Sequence, residues 1–101
     1  MSRVVETGIT DERRIVSILE EEGYFNIFRW SDAASTSYSE HTHPHEEVRW
    51  VVSGVLEIRE GKRRLRLNPG DRLESSANTP HSAYVPEDVV YICASRRPKE
   101  G

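Results

Sequence analysis

What this chain is short of narrows the field first. It has one cysteine in 101 residues, so no intrachain disulfide framework can hold it together. That Cys93 lies in the run Val89-Val90-Tyr91-Ile92-Cys93-Ala94 and reads as a buried strand thiol. A fold without disulfides suits a reducing, cytoplasmic compartment. No stretch approaches the roughly 20 apolar residues of a membrane span, and the N-terminus lacks the apolar core of a signal peptide. No membrane partner is therefore expected. Neither sign of charge accumulates: 14 Lys and Arg stand against 17 Asp and Glu, a net charge of −3. Without a basic stripe, nucleic acid is not an expected partner either. Repeats, linkers, a phosphate-binding glycine loop and a nucleophile pair are all missing. Hydrophobic residues make up 36% and charged residues 31%, which suits one small barrel with a wet outer face.

What is present reads as many short strands. Ser2-Arg3-Val4-Val5-Glu6 is a β-prone edge piece. Thr10 and Asp11 offer N-cap oxygens, Ile15, Val16, Ile18 and Leu19 fall at helical spacing, and Gly23 is a stop. One amphipathic helix is expected over about 11–22, packed outside the barrel. Tyr24 to Trp30 is aromatic and β-branched, a strand, and 31–39 a polar loop or weakly paired strand. Glu47 to Ser53 and Val55 to Arg59 read as two strands broken at Gly54. A hairpin at Glu60-Gly61 leads into the alternating Lys62 to Leu67, and Arg72 to Glu74 is a short strand. His81 to Val85 and Val89 to Ser95 make a last hairpin across Pro86-Glu87-Asp88. The fold class is all-β, in a single domain over 1–101. Its parts are an N-terminal strand and helix over about 1–23, a barrel over about 24–96 and a frayed tail over 97–101.

The chemistry concentrates in His41-Thr42-His43-Pro44-His45-Glu46-Glu47. His41 and His43 share parity on an extended strand, so both rings project from one face, and Glu47 has the same parity. Two imidazoles and a carboxylate on one face suit a first-row transition metal. The fourth histidine, His81, follows the turn-like Asn78-Thr79-Pro80. Three close ligands and one distant one suit a sheet curled back on itself.

These residues resemble a known family. His41-x-His43, Glu47 and Gly54 match the first motif of the cupins. Pro69-Gly70-Asp71 with Asn78-Thr79-Pro80-His81 is similar to the second, over roughly residues 24–96 in all. Ser76 stands where proline is usual, Ser35 and Asn78 where glycine is usual, and Val85 where asparagine is usual. The resemblance implies a double-stranded β-helix barrel, with His41, His43, Glu47 and His81 holding one divalent metal: Mn, Fe, Ni, Cu, Co or Zn. Four ligands close a tetrahedral zinc site, whereas an octahedral metal keeps two positions open. His45 falls outside the implied set and reads as a neighbour of the site or as exposed, with replacement of a ligand as the alternative; Glu46 reads as solvated.

The expected function is that of a metal-dependent enzyme on a small organic molecule, dioxygenase or oxidoreductase chemistry first, isomerase or lyase second. The alternative is a non-catalytic binding or sensor module with a structural metal. Arg49 shares the face of Glu47 and is a substrate anchor for a carboxylate or phosphate, part of an internal salt bridge, or an arginine whose head reaches solvent along its apolar stem. Tyr38 and Tyr84 fall opposite His41 and His81 by alternation and read as packing residues. Val48, Trp50 and Val52 form an apolar outer face that the helix, the N-terminal strand or a second subunit must cover; a homodimer is expected.

Overall fold

The computed structural model of the protein describes residues 2–97. Within them the order is β1 (Arg3–Glu6), α1 (Glu12–Glu21), β2 (Phe25–Asp32), β3 (Ser37–His41), β4 (Glu46–Glu60), β5 (Arg63–Leu67), β6 (Asp71–Ser75) and β7 (His81–Arg96). Of the tail expected over 97–101, only Arg97 is described, outside any strand; 98–101 lie outside the described residues.

Two long strands form the spine. β4 and β7 pair antiparallel from Glu46↔Arg96 to Arg59↔Ser82. Their remaining edges change partner along their length. The start of β4 pairs with β6 and its end with β5, while the start of β7 pairs with β3 and its end with β2. β1 adds an edge to β6. The sheet therefore folds across the spine into two facing halves, β1-β6-β4-β7-β2 and β5-β4-β7-β3. This is the all-β double-stranded β-helix that the sequence implied, with one helix outside. No described helix is long and apolar enough to cross a membrane.

The spine corrects two readings of the sequence. Gly54 does not break a strand, and Pro86-Glu87-Asp88 is not a hairpin turn: β4 and β7 run through both. The ladder shifts register between Val51 and Glu57, where Val55 faces Glu87. Proline has no amide to donate, and an irregular stretch of ladder is where that loss is tolerated. Gly54 takes φ +77°, and a Cβ there would overlap the Asp88 carbonyl oxygen. The sheet bends because β7 passes against bare backbone.

Alternation then sorts the core into two layers. Val51, Leu56, Leu73, Val85, Val89 and Tyr91 meet between the sheet halves. Val85 is fully buried there, so an apolar side chain suits this position. Val48, Trp50, Ile92 and Ala94 point outward and meet Ile15 and Leu19 of α1. The helix lies within one residue of the expected bounds at each end. Asp11 caps it, its Oδ1 accepting from Arg14 N at 3.0 Å, and Gly23 follows at φ +85°. Trp50 is 1% exposed and its Nε1 donates to the Ile9 carbonyl at 2.9 Å. The chain's own helix thus covers the face of Val48 and Trp50.

Candidate metal centre

Cross-strand pairing builds the site. β3 and β7 place His41 directly opposite His81. His43 follows in the loop before β4, and Glu47 is the second residue of β4. The loop ahead of His81 is tied to the loop carrying His43 by one backbone bond, Asn78 N donating to the His43 carbonyl at 2.7 Å. Asn78 has φ +60° and Ser35 φ +73°. Both keep the left-handed backbone for which glycine is usual. Asparagine adopts it readily, and serine at a cost of about 1–2 kcal/mol.

The three imidazoles converge. Ring centroids lie 4.8 Å apart for His41 and His43, 4.4 Å for His41 and His81, and 5.3 Å for His43 and His81. One nitrogen from each falls within 4.8 Å of the other two. His41 Nδ1 lies 2.7 Å from the Ser39 carbonyl and His81 Nδ1 2.9 Å from that of Thr79. A carbonyl only accepts, so both rings carry their proton on Nδ1 and present Nε2 as a lone pair. His43 Nε2 is buried with no hydrogen-bond partner. Such a group costs free energy unless something else claims it.

Glu47 stands beside this trio and outside it. Its Oε1 is 3.5 Å from His43 Nε2, too poorly aligned for a hydrogen bond, and 3.4 Å from Arg49 Nη2. Arg49 Nη2 also lies 3.3 Å from His81 Nε2. The internal salt bridge weighed for Arg49 therefore exists, but it is long and uses one nitrogen. His45 packs edge-on against Phe25, centroids 5.5 Å apart, away from the trio. Glu46, expected in solvent, is gripped by Arg96 at 2.9 and 3.1 Å.

The trio opens on a cavity of about 240 Å3 between the sheet halves. Leu56, Ala83 and Cys93 wall it, and Phe28 and Trp30 stand at its mouth. Burial pushes the Cys93 thiol up to about 12, so it stays protonated. Tyr38 also lines the cavity, which corrects the alternation reading. A bulge between Tyr38 and His41, three residues set against the two from Ala83 to His81, puts both side chains on one face. Tyr84, 45% exposed, lies outside the cavity as alternation had it. Sequence reasoning missed Asp32 altogether. Its Oδ1 accepts from Tyr38 Oη at 2.7 Å and from Trp30 Nε1 at 3.1 Å, and its Oδ2 from Tyr91 Oη at 3.0 Å. Burial first, and then the Asp32 carboxylate, raise Tyr38 above the usual phenol range, so it remains a donor. The signal was legible: Phe28, Trp30 and Asp32 alternate along β2 on one face.

Burial holds His43 and His81 below the ordinary 6.5, against an opposing pull from Glu47 on His43 and from the Thr79 carbonyl on His81. The unfolded chain then takes up protons at a higher pH than the folded one. The stability these rings contribute is complete above about pH 6.5 and is lost as pH falls through their folded pKa values. Thermal melts of chelator-treated protein are expected to show a steeper fall in Tm below about pH 6.5 than a His43→Gln, His81→Gln double variant shows. Identical pH profiles for the two proteins would contradict this.

Three mutually close nitrogens, two with tautomers set by backbone carbonyls and one without a partner, are compatible with a transition-metal site. Known proteins agree on the frame. The cupin domain model matches residues 28–95. A cupin superfamily protein from Desulfitobacterium hafniense is similar at 20% identity and TM-score 0.66, over 70% of this chain and 65% of that one. DMSP lyase DddQ from Ruegeria pomeroyi is similar at 26% identity and TM-score 0.65, over 74% of this chain and 39% of that one. A DUF861 family protein from Thermotoga maritima is similar at 13% identity and TM-score 0.67, over 92% and 97%. The chain thus spans less than two thirds of the first two. No curated protein matches it. With the family model over most of the chain and the barrel around the histidines, the chain belongs to the cupin domain family.

Proposed function

We propose that the protein is a metal-dependent enzyme acting on a small organic molecule, with one divalent metal held by His41, His43 and His81 and completed by Glu47. The observation that carries this reading is His43 Nε2, a buried nitrogen with no hydrogen-bond partner, in a trio of imidazoles that each bring one nitrogen within 4.8 Å of the other two. A bound metal supplies Lewis acidity or a redox centre. The chain supplies the rest. The Ser39 and Thr79 carbonyls hold two rings in the correct tautomer and orientation. Glu47 Oε1 already lies 3.5 Å from His43 Nε2. Phe28 and Trp30 narrow the mouth against water, and Tyr38, kept protonated beside Asp32, offers a hydroxyl to the cavity wall.

Dioxygenase-like oxidoreductase chemistry is the first class, because four protein ligands leave an octahedral metal two open positions. Lyase chemistry is the second, favoured by the likeness to DddQ, a DMSP lyase. Oxygen uptake with candidate substrates separates the two. Elemental analysis of untagged protein beside His43→Ala tests the common premise. Close to one iron, manganese, nickel or copper per chain, lost in the variant, is the expected result. Stoichiometric zinc that closes the site would favour a binding module with a structural metal. No metal even after reconstitution would sink the proposal.

A further inference from the structure

The cavity holds one charge that the proposed metal leaves unanswered. Arg49 sits on β4 opposite Leu73 and Cys93, and its side chain is 14% exposed. Nη2 makes the two long contacts to Glu47 and His81; Nη1 is buried without a hydrogen-bond partner. A guanidinium taken out of water with one nitrogen unanswered carries a desolvation cost that the long contacts of Nη2 offset only in part.

The partners of Nη2 are moreover the two groups a metal would claim, the His81 lone pair and the Glu47 carboxylate. Arg49 would then stand beside a divalent cation, with Glu47 the one carboxylate among the described residues that line the cavity. Positive charge exceeds negative around Arg49, whose side chain is 14% exposed, and away from bulk water such an imbalance is felt more strongly. An anion restores the balance. A carboxylate matches the guanidinium, since one of its oxygens can accept from the unpartnered Nη1 while its single charge answers that of the arginine. Phosphate would bring more charge and more oxygens than one free nitrogen can satisfy, and among the described residues no other Arg or Lys lines the cavity.

The mouth specifies the other end of the ligand. Phe28 and Trp30 are 45% and 46% exposed, meet edge to face at 6.3 Å, and Trp30 is pinned by its bond to Asp32. Two large rings held open to solvent at the rim of a cavity offer an apolar surface that a ligand can cover. At about 240 Å3 the cavity falls below the range of about 300–1,000 Å3 for drug-sized ligands, so the occupant is small.

We infer that the cavity takes a small amphipathic carboxylate, its carboxylate on Arg49 Nη1 beside the histidine trio and its apolar body against Phe28 and Trp30. The inference rests on the metal reading for the excess of charge, but Nη1 lacks a partner with or without a metal.

Calorimetry on the zinc-loaded protein tests it with three probes: phenylacetate, its neutral analogue phenylacetamide, and acetate. Wild type is expected to bind phenylacetate at least about tenfold more tightly than either of the others. Arg49→Met is expected to erase the preference for acid over amide, and Arg49→Lys to keep part of it. Trp30→Ala is expected to erase the preference over acetate. Circular dichroism reports whether each variant folds, and Arg49→Lys carries the test if Arg49→Met does not. The same titrations on chelated protein separate the two readings. A preference for the acid that survives chelation and is lost in Arg49→Met upholds the arginine even in a protein that takes no metal. Equal binding of acid and amide by wild type overturns the inference. So does a preference that Arg49→Met leaves intact, which would put the carboxylate on the metal alone.

Discussion

Gly54→Ala is expected to leave no stably folded protein. The new methyl would overlap the Asp88 carbonyl oxygen and stand 2.8 Å from the Asp88 carbonyl carbon and Val89 Cα, all of them backbone atoms of β7. No rotamer change relieves such an overlap, so β4 and β7 must separate where the sheet bends. The φ of +77° adds strain for any residue with a Cβ. Together these exceed about 4 kcal/mol, against a total stability of about 5–15 kcal/mol for a typical domain. Gly61→Ala is the control: it also has positive φ, +59°, but a Cβ there meets nothing within 4 Å. That change should cost only about 1–2 kcal/mol. Urea unfolding followed by circular dichroism reads both. A Gly54→Ala protein with a cooperative transition near that of wild type would refute the close approach of the two strands.

Trp50→Ala is expected to cost about 3–5 kcal/mol, as large-to-small changes do in packed cores. The indole lies between β4 and α1, and its loss also leaves the Ile9 carbonyl without its donor. Trp50→Phe keeps most of the packing and forfeits the hydrogen bond, so its cost should fall to about 1–2 kcal/mol. Because Trp50 points away from the histidines, the fraction that stays folded should carry the same metal per chain as wild type. An unchanged urea midpoint for Trp50→Ala would mean that α1 does not dock as described.

Most of the barrel was legible because alternation is a local property. The parity of Arg49 and Val51 against Val48, Trp50 and Val52 assigned inner and outer faces correctly, and the Asp11 cap with Gly23 bounded the helix. The histidines were legible for the same reason, since three of them sit in one short stretch. What failed was non-local. Tyr38 was placed on the wrong face because a single bulge before His41 reverses parity, and a bulge leaves no mark on composition. Pro86-Glu87-Asp88 has the residues of a turn, yet β7 continues through it because β4 lies alongside. Gly54 looked like a stop, whereas the close passage of Asp88 is what demands a glycine. The distance between Glu47 and the trio depends on the arginine two residues on, and spacing says nothing about which partner a carboxylate chooses.

The pairing of His41 with His81 also bears on how the chain reaches its native state. Forty residues separate the two along the chain, and β1 must find β6 across a still longer stretch, Arg3 against Glu74. Closing such distant contacts is entropically slow, and all-β chains of this kind fold in about milliseconds to seconds. A newly made chain offers His41, His43 and Glu47 together, but His81 joins them only once β3 has zipped onto β7. If that ladder slipped by one residue, His81 would turn to the opposite face and the trio would be lost. A metal that needs all three imidazoles therefore binds the natively registered chain and not its slipped neighbour, and by mass action it draws the population toward the correct pairing. Bound there, it would act as a proofreader of strand register.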